Sequence, residues 1–254
     1  MEVAVLALVL GLLIGSFLNV CIYRLPRDLS VVRPRSFCPA CGKTIAWYDN
    51  IPVASYVLLR GRCRHCGARI SWRYPAVEVI TGVLFFVTVL NLGAGLPALK
   101  WCFFEALMTG LLFCDLEQRI LPDEFTLGGG AAGVLLAAAA PGDRWASLLE
   151  SVLGVVVAAG LLWLVGFLYT AVRHKEGLGL GDVKMLGAIG AFLGLLGALQ
   201  TLILASLAGS LIGVIYIRLA KKDYSTYELP LGTFLAAAAL VLALLRVYYR
   251  GLTA

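Results

Sequence analysis

Two aspartates in unusual surroundings are the residues best placed to do chemistry. Asp115 lies in a short charged island, Phe113-Cys114-Asp115-Leu116-Glu117-Gln118-Arg119, between two long apolar runs, and Asp182 closes the stretch Gly177-Leu178-Gly179-Leu180-Gly181-Asp182. A carboxylate at the edge of hydrocarbon is energetically unfavourable and is usually kept for function. The alternating glycines strip side chains from the backbone ahead of Asp182 and open conformations closed to other residues, so that this carboxylate can enter a crevice between helices. If the two acids meet they share one proton: one acts as general base on water while the other polarises a carbonyl. That is aspartyl protease chemistry, with Asp115 and Asp182 as the expected catalytic pair. Plainer readings stand beside it. Asp115 precedes Arg119 by four residues, the spacing of a helical ion pair. The glycines also suit a phosphate-cradling loop, although no soluble strand precedes them. Asp123 and Glu124, after Pro122, read as a helix start that complements the dipole. Glu117 is a further candidate participant, and Lys184 either pairs with an acid or snorkels to the interface, the second being the favoured reading.

The second group is made of thiols. Cys38-Pro39-Ala40-Cys41-Gly42 and Cys63-Arg64-His65-Cys66-Gly67 each pair two cysteines over a two-residue spacer, followed by a glycine that permits a tight turn. Twenty-one residues separate Cys41 from Cys63, close to the spacing of structural zinc sites. Four thiolates on Zn²⁺ leave no open position, so Cys38, Cys41, Cys63 and Cys66 are expected to bind a structural rather than a catalytic ion. His65 then reads as solvated. A redox CxxC normally occurs singly near a βαβ pattern, which this sequence lacks. The remaining cysteines, Cys21, Cys102 and Cys114, read as small buried apolar residues.

These groups need scaffolds to hold them. Of the 254 residues, 61% are apolar and 14% charged, far from the quarter charged of soluble domains. The fold class expected is therefore an all-α polytopic membrane protein. Its net charge of +6 would suggest nucleic acid in a soluble chain, but here the segment from Arg24 to Arg73 holds ten basic residues against two acids. By the positive-inside rule that segment is cytoplasmic and the amino terminus is outside; membrane lipid is the expected partner and nucleic acid is not. The first apolar run has no basic leader and no small-residue cleavage site, so it reads as a spanning helix rather than a signal peptide. Eight spans are expected, at about 3–22, 77–92, 96–113, 125–140, 148–172, 183–196, 201–217 and 231–247, with a tight turn at 197–200. Ser16 and Asn19 mark a face of the first span that meets protein. The loop after that span is too small to fold on apolar burial alone and needs the metal as a staple. Two domains follow: 1–75, the first helix with the zinc-stapled cytoplasmic loop, and 76–254, the remaining seven helices. Both aspartates fall at the cytoplasmic rim. A competing class is a transporter with Asp115, Asp182 and Lys184 on a proton or cation path and a regulatory zinc loop, although transport sites commonly lie nearer the bilayer middle.

Nearly the whole chain resembles the bifunctional type IV prepilin peptidases, which are leader peptidases and N-methyltransferases. The resemblance is carried, in the family's order, by Gly15-Ser-Phe-Leu-Asn-Val20 with Tyr23-Arg-Leu-Pro26, the two CxxC knuckles, Asn50-Ile-Pro52, Gly61-Arg-Cys63, Arg73-Tyr-Pro75 with Glu78, Asp115 with Leu121-Pro-Asp123, and Gly179-Leu-Gly-Asp182. It implies a GxGD-type aspartyl peptidase of the bacterial inner membrane, multi-pass and with its active site facing the cytoplasm. The implied substrates are precursors of type IV pilins or of type II secretion pseudopilins. It further implies that the segment before about Glu78 methylates the new terminal amine from S-adenosylmethionine, with Gly61 the first candidate for holding that donor. Pro230-Leu-Gly-Thr-Phe234 departs from the family's Pro-Phe-Gly-Pro, which bears on the packing of the last span.

Overall fold

Apolar runs of this length can satisfy their backbone inside lipid only as helices or as a closed barrel, and helices are what form. The computed structural model describes all residues except 141, 175–177, 221–229 and 254. Its helices are α1 (Glu2–Arg24), α2 (Ala54–Leu58), α3 (Arg73–Leu92), α4 (Leu96–Gln118), α5 (Asp123–Ala138), α6 (Arg144–Leu153), α7 (Ala159–Arg173), α8 (Leu180–Ala220) and α9 (Leu231–Thr253). Among the described residues the only β structure is two isolated bridges, Phe37 to Thr44 and Arg62 to Arg69.

Six stretches are long and apolar enough to cross a membrane: Glu2–Arg27, Arg73–Leu92, Leu96–Gln118, Arg144–Arg173, Leu180–Tyr216 and Leu231–Tyr249. Eight were expected, and the difference has two sources. The segment expected at 125–140 is helical, but α5 has only 16 residues, about 24 Å of rise against a hydrocarbon core of about 30 Å. The spans expected at 183–196 and 201–217 are two helices joined at a kink within the stretch labelled α8, so they count as one stretch here, and the break falls a few residues before the expected turn. Residues 197–200 are helical rather than a turn, and the one interruption is at Gly194, with φ 68° and ψ −180°. That left-handed φ suits a residue without a side chain. Helices α6 and α7 join through a π-helical turn, Gly154–Ala158, into one 30-residue stretch. Of the features singled out in the sequence, Gly177, Lys175 and the basic residues 221 and 222 lie outside the described residues.

The chain divides into two compact units, one of Met1–Gly110 with Val247–Ala254 and the other of Leu111–Arg246. In the first, α1 packs along α3 through small residues. A Cβ on Gly15 would lie 2.6 Å from the Glu78 Cα, and one on Gly11 would lie 2.8 Å from the Gly82 Cα, the close backbone approach by which membrane helices associate. The polar face expected at Ser16 and Asn19 does meet protein: Asn19 is buried and its Nδ2 donates to the Tyr74 carbonyl at 2.9 Å. In the same unit the buried Thr88 hydroxyl of α3 donates to Glu105 of α4 at 2.6 Å.

In the second unit α5, α6 and α7 lie against α8. The Ser151 hydroxyl donates to the Ala191 carbonyl at 2.8 Å, and the crossing is closest at Gly154 and Gly190, where a Cβ on either would overlap the other's backbone. Gly154→Leu should therefore force these helices apart at a cost of about 1–3 kcal/mol. The expected readout is a lowered thermal midpoint in detergent, and an unchanged midpoint would show that the crossing is not close.

Candidate functional site

Asp115 occupies the last turn of α4. The helix ends at Gln118, Arg119 leaves it with φ 55°, and the Arg119 N–H donates to the Asp115 carbonyl at 2.9 Å. The Asp115 side chain, 5% exposed, turns to Thr233. Its Oδ2 accepts from both the backbone N–H (2.5 Å) and the hydroxyl (2.8 Å) of Thr233. Thr233 is in the first turn of α9, where unsatisfied N–H groups and the helix dipole favour an anion. Gly232 makes the approach possible, since a Cβ there would lie 2.9 Å from the Asp115 Cγ.

Asp182 lies in the first turn of α8, half-buried, with its N–H on the Gly179 carbonyl at 3.2 Å. Leu121, on the link between α4 and α5, relates it to Asp115. The Leu121 Cδ1 is 3.1 Å from where a Gly232 Cβ would be, and its Cβ is 3.3 Å from where a Gly181 Cβ would be. One side chain thus packs on the backbone beside each aspartate. This is the arrangement in which one acid can take a proton from water while the other, protonated, holds a carbonyl oxygen.

Lys184 corrects the sequence reading. Instead of snorkelling, its Nζ bonds both carboxylate oxygens of Asp123 at 2.8 and 3.0 Å, joining the start of α5 to the first turn of α8. An exposed pair of this kind is worth less than about 1 kcal/mol, so it serves to orient the two helix starts rather than to stabilise the fold. Asp123 and Glu124 do open α5, with Pro122 preceding them, and Glu117 is exposed. Thr233, Gly232 and Leu121 were not anticipated. The signal present for the first two was Pro230 followed by small and hydroxyl residues at a helix start, a pattern that marks an anion-accepting terminus.

The four predicted thiols converge. The Sγ atoms of Cys38, Cys41, Cys63 and Cys66 all lie within 4.8 Å of one another, and Cys38 and Cys66 are 3.9 Å apart. A tetrahedral zinc with Zn–S of about 2.3 Å has sulfurs about 3.8 Å apart, so the donor set and its size fit that ion. Both knuckles are built alike. Cys38 N–H donates to the Lys43 carbonyl and Gly42 N–H to the Cys38 carbonyl; Cys63 N–H donates to Ala68 and Gly67 N–H to Cys63. Gly42 and Gly67 have φ of 68° and 70°, the left-handed turn expected after each CxxC. The N–H groups of Cys66 and His65 at the Cys63 sulfur pull that thiol down to about 7, which favours the thiolate a metal needs. His65 is exposed and outside the cluster. Arg64 makes a bidentate pair with Asp49 at 2.6 and 2.7 Å and holds that carboxyl below its ordinary range, fastening the second knuckle to the turn Trp47–Asn50. The other three cysteines are buried, as expected.

Gly61 is buried at φ 65°, with the Tyr56 ring 3.0 Å from where its Cβ would lie. Its carbonyl accepts from Ile70 N–H at 2.7 Å. Nearby, the Glu78 carboxylate accepts from the N–H of Val53 at 2.7 Å. Val53 has φ 59°, an unusual conformation for a β-branched residue.

Residues 9–92 match the family model described as the bacterial peptidase A24 N-terminal domain, and residues 102–217 match the type IV leader peptidase family. The chain is 39% identical to a prepilin leader peptidase/N-methyltransferase of Myxococcus xanthus (strain DK1622), over 90% of this chain and 69% of that protein. It is 40% identical to one of Klebsiella pneumoniae, over 77% of this chain and 87% of the relative. It is 37% identical to one of Neisseria gonorrhoeae, over 87% and 85%. No solved structure matches the chain.

If the cluster binds zinc, the purified protein should carry about one ion per chain by elemental analysis, and the four thiols should react only after chelation or acidification, since binding requires thiolates. Cys38→Ser should lose the ion; stoichiometric zinc in that variant would contradict the assignment.

Proposed function

The chain belongs to the type IV leader peptidase family, and on that footing we propose that it cleaves the leader from type IV prepilins or pseudopilins and methylates the amino terminus so exposed. The observation that carries the cleavage reading is that one side chain, Leu121, packs on the backbone beside both Asp115 and Asp182, although three helices separate them in the chain. In this reading Asp115, held by Thr233 at the start of α9, and Asp182 share a proton across the scissile peptide. One removes a proton from the attacking water; the other donates to the carbonyl oxygen, and the roles reverse as the tetrahedral intermediate collapses to carboxylate and free amine. The pair works at the cytoplasmic rim of the bacterial inner membrane, the side assigned by the basic loop between α1 and α3.

The methyl transfer belongs to the amino-terminal segment, through about residue 75, with the helices of residues 76–254 forming the peptidase. Cys38, Cys41, Cys63 and Cys66 hold a structural zinc that keeps this small segment folded. Gly61, at the base of the second knuckle, is the first candidate to border the methyl donor, S-adenosylmethionine, which supplies an electrophilic methyl group when bound. The names of the relatives give no support to the transporter reading.

Asp115→Asn and Asp182→Asn should each lower cleavage of a prepilin in membranes by on the order of 10²–10⁴-fold with expression and zinc content unchanged; full cleavage by either variant removes that residue from the pair. Thr233→Val keeps the backbone donor and removes the hydroxyl, so it should reduce turnover less than either aspartate change, and a loss as large as theirs would count against a supporting role. Mass spectrometry of the mature pilin terminus should find one added methyl group, lost before cleavage is lost when Cys63→Ser opens the zinc site. An unmethylated product from the intact enzyme supplied with donor would limit the activity to cleavage.

A further inference from the structure

The aspartate pair leaves unused a cleft of about 400 Å³ in the amino-terminal unit, between α1 and the segment 31–50. Its two ends differ in character. Along α1 its lining runs from Arg24 at one end through Val20 and Phe17 to Leu13 at the other, and the facing segment contributes Arg35, Ser36 and Asn50 together with the apolar Val31, Val32 and Ile45. Arg24 and Leu13 are eleven residues apart on one helix, about 16 Å of rise, so the charged and apolar ends are well separated along the direction in which a lipid lies. Leu13 and Phe17 are exposed on α1 and continue a stripe of exposed residues that includes Leu6 and Leu10, so the Leu13 end opens on the face that meets hydrocarbon. Trp47, also exposed and also lining the cleft, is the kind of side chain that sits at headgroup level.

Among the described residues that line the cleft the charged ones, Arg24 and Arg35, are both cationic, and the Arg24 guanidinium lies 5.9 Å from the centroid of the Phe37 ring. Arg24 is 4% exposed, and its three hydrogen bonds go to the carbonyls of Ser30, Pro34 and Arg35. These are neutral acceptors that leave part of its five-donor fork over. No acidic residue lines the cleft. A buried guanidinium without a carboxylate is unfavourable unless an anion comes from elsewhere.

We propose that this cleft is a binding site for the headgroup phosphate of an anionic phospholipid, with one acyl chain running down α1 over Phe17 and Leu13. The phosphate bridges Arg24 and Arg35, and Ser36 and Asn50 offer hydrogen bonds to the rest of the headgroup. A sulfonium-bearing methyl donor is a poorer match, because two guanidinium groups without a carboxylate oppose its net positive charge. Free phosphate has the right charge but nothing to place on the apolar wall at Phe17 and Leu13. The proposal does not depend on the cleavage chemistry.

Native mass spectrometry of the full chain, released from detergent with equal amounts of dioleoylphosphatidylglycerol and dioleoylphosphatidylcholine, tests it. One phosphatidylglycerol should be retained in preference. Arg35→Gln should weaken that retention about fivefold and leave phosphatidylcholine unaffected. Val20→Trp, which fills the cleft from α1, should remove the preference while zinc content and thermal midpoint stay as in the parent protein. Equal retention of the two lipids, or a preference that survives both substitutions, overturns the proposal. So does displacement of the lipid by inorganic phosphate or by S-adenosylmethionine at concentrations that leave the protein folded.

Discussion

A carboxylate at the lipid edge must receive its hydrogen bonds from protein, and for Asp115 the donor stands 118 residues further along the chain. Both bonds from Thr233 reach the same carboxyl oxygen of Asp115, and a typical hydrogen bond contributes about 0.5–1.5 kcal/mol. They fix the first turn of α9 against the last turn of α4. Much else near the site follows from that requirement. Gly232 must lack a side chain for α9 to come close, Leu121 fills the space left beside it, and the same leucine lies against Gly181. Asp182 is thereby set next to a carboxyl group whose own position is already determined. The glycines around Asp182 therefore serve packing at least as much as backbone freedom.

The amino-terminal loop is stabilised by different means. It has no apolar core of its own and is held by local devices: the four sulfurs, two hairpin turns with left-handed glycines, the Asp49 to Arg64 pair and the Arg24 clamp on three carbonyls. Glu78 of α3 ties the middle of the loop to the membrane helices by accepting from Val53, and Asn19 of α1 donates to Tyr74 at the start of α3. In a segment built this way, a metal held by the four sulfurs would be the central constraint on both knuckles.

What was legible in the sequence was what depends on local chemistry. The knuckles could be read because spacing, ligand type and the following glycine lie within a few residues of one another, and the exposed His65 follows from a ligand set that is already complete. Helix as the only element of the spans followed from composition. Their number did not, because hydropathy fixes which residues are apolar and says little about where one helix stops. Residues 197–200 hold no proline, so the helix continues through them, and the interruption falls at Gly194, one of many glycines with nothing local to distinguish it. Lys184 was misread for a related reason: its partner Asp123 lies 61 residues away, and only the fold brings the two helix starts together. Thr233 was hidden in the same way, in a stretch that had attracted notice only as a departure from the family pattern. Its chemistry, a donor pair at a helix start, was visible; its acceptor was not.

The central claim is that Asp115 and Asp182 close on a single water molecule in the membrane-embedded enzyme. The most direct measurement replaces both with cysteine in a Cys114→Ala background and treats native membranes with a short bifunctional thiosulfonate. Rapid intramolecular cross-linking, protected by bound prepilin, is the predicted result. Failure to cross-link, while a cysteine pair placed at Asp123 and Lys184 joins readily under the same conditions, would contradict it.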